Sequence, residues 1–478
     1  MIFGLIGWRS KMHLQRDTWC SKEFSSVKLG DKRLNRRLLK VAGDLLNFPT
    51  EPINAVCNGW SETKAAYRLF DNGKLQEANL LQAHQAETVK RLEKSDEIIF
   101  AIQDTTILNY THHPKKKGIN KINKNPGFEK PSTGCFLHNT LLMTESGLPL
   151  GLLDQKIFQH DTGEKTNHKH RPITEKQSFR WIESLKTTKN LCPQKTIVTV
   201  GDRESDIFEL FVEAEEEEAK VLIRATKDRI LIQDGQEHQT LWGHMRKTPL
   251  GKMQTIQLPA RHNQPERLAN LEVRYAEITL KPPQRYPRAK EKPLPPVKMQ
   301  AIWLYEPHPP SDIEPLEWML LTNMPVNSIE DAIKMGNWYR LRWQIECYHR
   351  ILKSGCKIEE CRLETYDRLK KFIRLKSIIA YRLFWLTLVS RVHPEISSNQ
   401  ILEDHEWKAL CCHITKNRKP PSKPPTMREA VRMIARLGGF LGRKSDKEPG
   451  MTYIWRGWEK LALIADFWLS ICNEATYG

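Results

Sequence analysis

YRLRWQIECYHRILK, Tyr339 to Lys353, sets a single carboxylate, Glu346, among Tyr339, Arg340, Arg342, His349, Arg350 and Lys353. Ser328 and Asp331 make a capping-box-like start upstream, and Gly355 is a natural stop. The whole stretch therefore reads as one helix. At about 100° per residue, Tyr339, Arg342, Glu346 and Lys353 fall at roughly 0°, −60°, −20° and −40°, on one narrow stripe. An ion-paired surface face is one reading of that stripe. Such a face normally mixes acids and bases and does not reserve a tyrosine on the same line. The alternative is a site that grips a polyanion around a carboxylate kept ionised by Arg342.

Two distant aspartates supply companions for Glu346. EIIFAIQDTT reads as an apolar strand that stops on Asp104, and KTIVTVGDRESD as another that stops on Asp202 and flows into a helix. Sheets of α/β proteins present functional groups where strands end. Two such aspartates and a helical glutamate suggest a three-carboxylate site for hard divalent cations, Mg²⁺ or Mn²⁺. Two ions about 4 Å apart activate an attacking oxygen and stabilise a leaving one at a phosphodiester. The acids then serve metal, and the surrounding Arg and Lys serve phosphates.

Composition agrees with a polyanionic partner. The 478 residues carry 75 Lys and Arg against 57 Asp and Glu, a formal charge of +18, which favours nucleic acid. Asp31 is a plausible N-cap for KRLNRRLLKVAGDLL. In that helix Lys32, Arg33, Arg36, Arg37 and Lys40 share an arc of roughly 140°, with Leu34, Leu38, Leu39, Val41 and Leu45 on most of the opposite side. A solvated charged face is possible there; five bases without an acid on the arc favour a DNA phosphate or groove contact. No apolar run reaches a membrane-spanning length, and MIFGLIGWRSKM lacks the basic leader of a signal peptide, so the expectation is a cytoplasmic protein with Met1 or Met12 as its start. Ten cysteines in 478 residues are too few for a disulfide scaffold. Cys411, Cys412 and His413, or Cys356 and Cys361, lack zinc spacing.

The motifs together resemble the bacterial insertion-sequence DDE transposases of the IS-four family, the Tn-five transposase-like branch that cuts and pastes through hairpins. YRLRWQIECYHRILKSG matches its Y-x2-R-x3-E-x6-K signature. IQDTT resembles its first-aspartate motif and VGDRESDIF its second; LGDKRLNRRL, AAYRLF, IARLGGF and WRGWEKL extend the likeness over nearly the whole chain. The resemblance implies an RNase H-like mixed-sheet core with an inserted all-β subdomain, flanked by helical N- and C-terminal domains. Boundaries are expected near 1–80 for a DNA-end-binding domain, 81–395 for the catalytic domain with its insertion at about 219–325, and 396–478 for a dimerisation domain.

It further implies that Asp104, Asp202 and Glu346 hold two Mg²⁺ or Mn²⁺ ions through nicking, hairpin formation, hairpin opening and strand transfer. Tyr339, Arg342 and Lys353 are expected to hold phosphates near the hairpin. Trp318 matches a tryptophan that stacks on a flipped base, and Arg224 a DNA-contacting position. Arg203 and Glu204 are expected beside the site or on DNA; the basic loop 112–130 reads equally as a DNA contact or as a solvated charge run. The partners are then double-stranded DNA, as terminal inverted repeats and as target, and a second copy of the chain where two ends pair. A non-catalytic DNA-binding derivative and a metal nuclease of the same core are the competing readings. The intact acids argue against the first, and the extra helical regions against the second.

Overall fold

The computed structural model describes residues 18–122, 132–159, 172–233, 236–258, 265–283 and 293–474. The two candidate starts, and parts of the basic loop and of the proline-rich loop near 281–298, lie outside the described residues.

Five helices open the chain: α1 (Thr18–Glu23), α2 (Lys32–Asn47), α3 (Ile53–Val56), α4 (Trp60–Asp71) and α5 (Glu77–Glu93). Asp31 caps α2 as expected, its side chain accepting from Arg33 N at 2.7 Å. Leu38, Val41 and Leu45 are buried, and Leu34 and Leu39 half-buried against them.

The core begins with β1 (Ile99–Asn109), β2 (Gly134–Thr144) and β3 (Pro149–Phe158). Gly147, at φ 90°, turns β2 into β3 where side-chain-bearing residues are strained. Helix α6 (Phe179–Leu191) then leads to β4 (Ile197–Gly201), and α7 (Phe208–Glu216) to β5 (Lys220–Arg224). The strand order β3-β2-β1-β4-β5, with β2 antiparallel to β1 and with β4 and β5 parallel to it, is the RNase H-like arrangement.

The inserted region holds β6 (Ile230–Gln233), β7 (Gln236–Thr240), α8 (Leu241–Lys247), β8 (Lys252–Leu258), β9 (Arg267–Leu280), β10 (Val297–Tyr305) and β11 (Glu317–Thr322). Two features differ from the sequence expectation. The stretch taken to start the insertion, from residue 219, opens with a core strand, because β5 pairs with β4 on one edge and β11 on the other. The insertion also carries one short helix, α8, capped by Thr240. The sheet thus runs unbroken from core to insertion as eleven strands.

Helices α9 (Ile329–Arg340), α10 (Trp343–Arg350) and α11 (Tyr366–Val392) follow. α11 is almost wholly buried and carries three cations inside it. Lys376 donates to Pro49 O at 2.7 Å, and Lys371 to Phe70 O and Asn72 O at 3.2 Å each, so the N-terminal helices dock on α11 through carbonyls as well as apolar contacts. Helices α12 (Asp404–Thr415), α13 (Met427–Leu437) and α14 (Met451–Glu474) close the chain. The α13–α14 crossing needs its glycines: a Cβ on Gly457 would stand 1.8 Å from Ile434 O. Among the described residues no helix is long and apolar enough to cross a membrane, and the nine cysteines whose side chains are described form no disulfide.

Candidate active site

The two aspartates stand on neighbouring parallel strands. Ile102 lies opposite Val200 in the β1–β4 pairing, and the same register carried forward sets Asp104 opposite Asp202. Adjacent strands lie about 4.8 Å apart, so both carboxylates leave the sheet at one height. Asp104 is not the end of its strand, contrary to the sequence expectation. β1 continues to Asn109 because every residue of it pairs with β2; only the pairing with β4 stops. β4 does end, and Asp202 caps the turn that follows by accepting from Glu204 N at 2.9 Å. Gly201 makes that turn possible, since a Cβ there would meet Ser205 Oγ at 2.2 Å.

Glu346 arrives on a helix that is less regular than its sequence suggests. The capping box at Ser328 and Asp331 is present. After Arg340, Leu341 N and Arg342 N bond three residues back, to Trp338 O and Tyr339 O, at 3.0 Å each. α10 then gives way to a π turn at Ile351–Gly355, closed by Cys356 N to Ile351 O at 2.8 Å. Tightening at one end and widening at the other break the constant 100° step. The predicted stripe is corrected accordingly: Tyr339 is buried, while Arg342, Glu346 and Lys353 are half-buried.

Charge is concentrated here. Burial first, and then the charge of Asp202 with a smaller share from Glu346, pushes the Asp104 carboxyl up to about 7. Arg342 opposes this, but its guanidinium donates to Glu346 Oε1. Among the described residues no three Asp, Glu, His or Cys side chains are gathered tightly enough to hold a metal ion. Glu346 is instead engaged by Arg342. The donors nevertheless fit a hard divalent cation: they are carboxylate oxygens, and Asp104 and Asp202 crowd each other with too little positive charge between them.

The other predicted residues distribute as follows. Burial raises the Tyr339 hydroxyl, which Arg342 and Arg224 flank without a well-aligned hydrogen bond. Trp318, half-buried on β11, sets its ring against Tyr339 edge-on at 5.4 Å. Arg224 ends β5 and donates to Glu317 O at 2.7 Å. Arg203 is exposed on the turn after Asp202, and exposed Glu204 pairs with Arg180 at 2.9 Å. Lys353 lies in the π turn, where its charge acts on His349. On α2, Lys32, Arg33 and Arg36 are exposed and Arg37 half-buried. Lys40 is held by Asp44 at 2.8 Å and Glu62 at 3.1 Å, so its charge is largely matched.

The sequence reading missed Arg180 and gave His349 no role. Arg180 Nε donates to Thr105 Oγ1 at 3.1 Å, and the charges of Glu204, Asp202 and Asp104 all act on it. Nothing in the spacing of α6 marks it. His349 is buried with Nδ1 3.6 Å from Asp104 Oδ2. It sits inside the signature helix, and its position one turn after Glu346 was the available signal.

Three family models match the chain: Transposase DNA-binding over residues 16–75, Transposase DDE domain over residues 151–383, and Transposase Tn5 dimerisation domain over residues 378–469. Among solved structures the chain is similar to the cryo-EM structure of the piggyBac transposase synaptic complex with hairpin DNA. That match has 9% sequence identity and a TM-score of 0.36, and covers 96% of this chain and 79% of that chain.

Proposed function

The chain belongs to the IS-four-like DDE transposases, and from that premise we propose that it excises and inserts its element by a hairpin-forming cut-and-paste route with Asp104, Asp202 and Glu346 as the catalytic acids. DNA cleavage and strand transfer are the family's chemistry, and divalent metal is its requirement. The chain has a transposase DNA-binding region and a dimerisation region, so it binds DNA and forms dimers. The finer reading is two Mg²⁺ or Mn²⁺ ions, terminal inverted repeats and target DNA as substrates, and a homodimer that pairs two ends beside the bacterial nucleoid. It divides the chain at 1–80, 81–395 and 396–478.

The three acids would hold the ions, which when bound supply Lewis acidity at the scissile phosphate. Arg342, Arg224, Arg203 and Lys353 would neutralise phosphates on either side. Tyr339 would fix one of them by its hydroxyl, and Trp318 would stack on a base turned out of the duplex, offsetting part of the unstacking cost. Lys32, Arg33, Arg36 and Arg37 would hold the end DNA, with Lys40 contributing least. Leu463, Phe467 and Ile471, exposed at four-residue spacing on α14, give a second copy an apolar stripe to cover.

The observation that carries the reading is the like-charge crowding at Asp104, a half-buried carboxyl that meets the charges of Asp202 and Glu346, with Arg342 and Arg180 shared among the acids. The test is a labelled duplex that bears the inverted repeats bounding the reading frame, incubated with protein and Mg²⁺ and resolved on denaturing gels. Wild type should give a nick, then a hairpin. Glu346→Gln should bind the end but cut it on the order of a thousandfold more slowly. Trp318→Ala should nick normally and form hairpins about tenfold more slowly. Retained cleavage by Glu346→Gln would sink the acid assignment; equal loss at both steps would remove the stacking role of Trp318.

A further inference from the structure

A chain of buried polar side chains lies behind Asp104, and its direction is fixed from the far end. Arg374 on α11 can only donate. Its Nη1 donates to Gln155 Oε1 and Gln155 O at 2.8 Å each, and its Nη2 to Glu77 Oε2 at 3.2 Å. With Oε1 of Gln155 engaged as the acceptor, Nε2 is left to donate, and it does so to Asn139 Oδ1 at 2.6 Å. The Asn139 amide is thereby oriented, and its Nδ2 donates to His349 Nε2 at 2.9 Å. Since Nε2 accepts, the ring proton sits on Nδ1. That nitrogen faces Asp104 Oδ2 at 3.6 Å. His349, Asn139, Gln155 and Arg374 are all buried, so little water competes for these bonds.

We infer that His349 is a positioning residue: a neutral imidazole whose Nδ1–H is aimed at Asp104 Oδ2 by Arg374, through Gln155 and Asn139. The inference rests on the reading of Asp104 as a cation ligand. The donor reserves one carboxylate oxygen and leaves Oδ1 to meet the cation. A separation of 3.6 Å is long for a hydrogen bond, and such contacts tighten when the site is loaded. Hydrogen bonds that orient a ligand in this way typically change metal affinity by 10- to 100-fold. Glutamine is suited to the second position because an amide both accepts and donates; a carboxylate there can only accept.

That asymmetry provides the test. Gln155→Glu still accepts from Arg374 but cannot donate to Asn139. The Asn139 amide then turns over, offers Oδ1 to His349 Nε2, and moves the ring proton to Nε2, without altering any residue of the site. Gln155→Leu cuts the chain without reversing it. Two measurements on the full-length, DNA-free protein suffice: nitrogen NMR of ¹⁵N-histidine-labelled protein, with the His349 signals assigned by their loss in His349→Asn, and Mn²⁺ binding by calorimetry.

Wild type should show Nδ1–H at His349. Gln155→Glu should show Nε2–H and bind Mn²⁺ about tenfold or more weakly, and Gln155→Leu should fall between them. An Nε2–H tautomer in wild type overturns the inference. So does equal loss of affinity in Gln155→Glu and Gln155→Leu, which is what a merely structural role gives. Asp104→Asn separates the two levels: Mn²⁺ binding as in wild type would remove Asp104 as a ligand and the positioning role with it, whereas loss of binding there with none in Gln155→Glu would remove the positioning role alone.

Discussion

Two buried histidines in this molecule make nearly the same arrangement with opposite electrostatic results. His84 on α5 accepts at Nε2 from Leu152 N at 2.8 Å and turns Nδ1 to Glu23. His349 accepts at Nε2 from Asn139 and turns Nδ1 to Asp104. Burial alone would raise both carboxyls. Glu23 is instead brought down to about 2, because His84 and Arg91 outweigh its burial. Arg91 grips both its oxygens, Nη1 to Oε2 at 2.9 Å and Nη2 to Oε1 at 3.1 Å. Asp104 is pushed up to about 7, because beyond its burial it meets Asp202 and Glu346. A carboxylate that owns its cation is a staple. One that shares the guanidiniums of Arg342 and Arg180 with Asp202, Glu346 and Glu204 has room for a cation from solution.

The comparison breaks first at Arg91. Arg91→Leu removes the cation and leaves Glu23 charged and buried, the situation that costs about 3–5 kcal/mol. Urea unfolding should register that loss as a lower midpoint. A loss under about 1 kcal/mol, as at an exposed pair, would mean that Glu23 is no staple and that the contrast with Asp104 has another origin.

The difference between the two carboxylates explains what could be read from the chain alone. Asp104 and Asp202 were legible because apolar strand runs precede them, and a sheet fixes neighbours by register. The basic and apolar faces of α2 were legible because that helix is regular. The stripe through Tyr339, Arg342, Glu346 and Lys353 was only half legible: the tightened joint at Leu341 and the π turn at Ile351–Gly355 depart from the helical period that the calculation assumes. Lys40 read as a free base because Glu62, one of its two acids, comes from another helix. The polar chain from Arg374 to His349 was not legible, since its members come from β2, β3, α10 and α11 and no local pattern links them.

The second way to sharpen the contrast is to supply the missing cation. Mn²⁺ at about a hundred times its dissociation constant should stabilise the wild-type fold by about 2.7 kcal/mol, read as a rise in the thermal midpoint without DNA. Asp104→Asn should lose that rise, and without metal it should be at least as stable as wild type, because a like charge has gone. Glu23→Gln should keep the rise. If Mn²⁺ stabilises Asp104→Asn as much as wild type, the ion binds elsewhere and Asp104 is not the carboxylate that lacks a partner.

The smallest effect is the acid response of the staple. The folded-state value of Glu23 is depressed from 4.5 to about 2, so its contribution is fully present above 4.5 and is lost as pH falls toward 2. By pH 3 the loss from this group is about 2 kcal/mol, from its depression at 1.36 kcal/mol per unit. His84 acts in the same direction. Burial depresses it below 6.5, and the Leu152 N–H already occupies Nε2, so the unfolded chain takes up a proton that the folded one refuses. Stability should therefore begin to fall below pH 6.5 and fall faster below 4.5. Glu23→Gln removes the second part and takes from His84 the acid that offsets its burial: the gap in unfolding free energy between wild type and Glu23→Gln should narrow between pH 6 and pH 3, by at most about 2 kcal/mol. A gap that stays constant would show that Glu23 titrates alike in both states, and that Arg91 and His84 do not hold it as the geometry says.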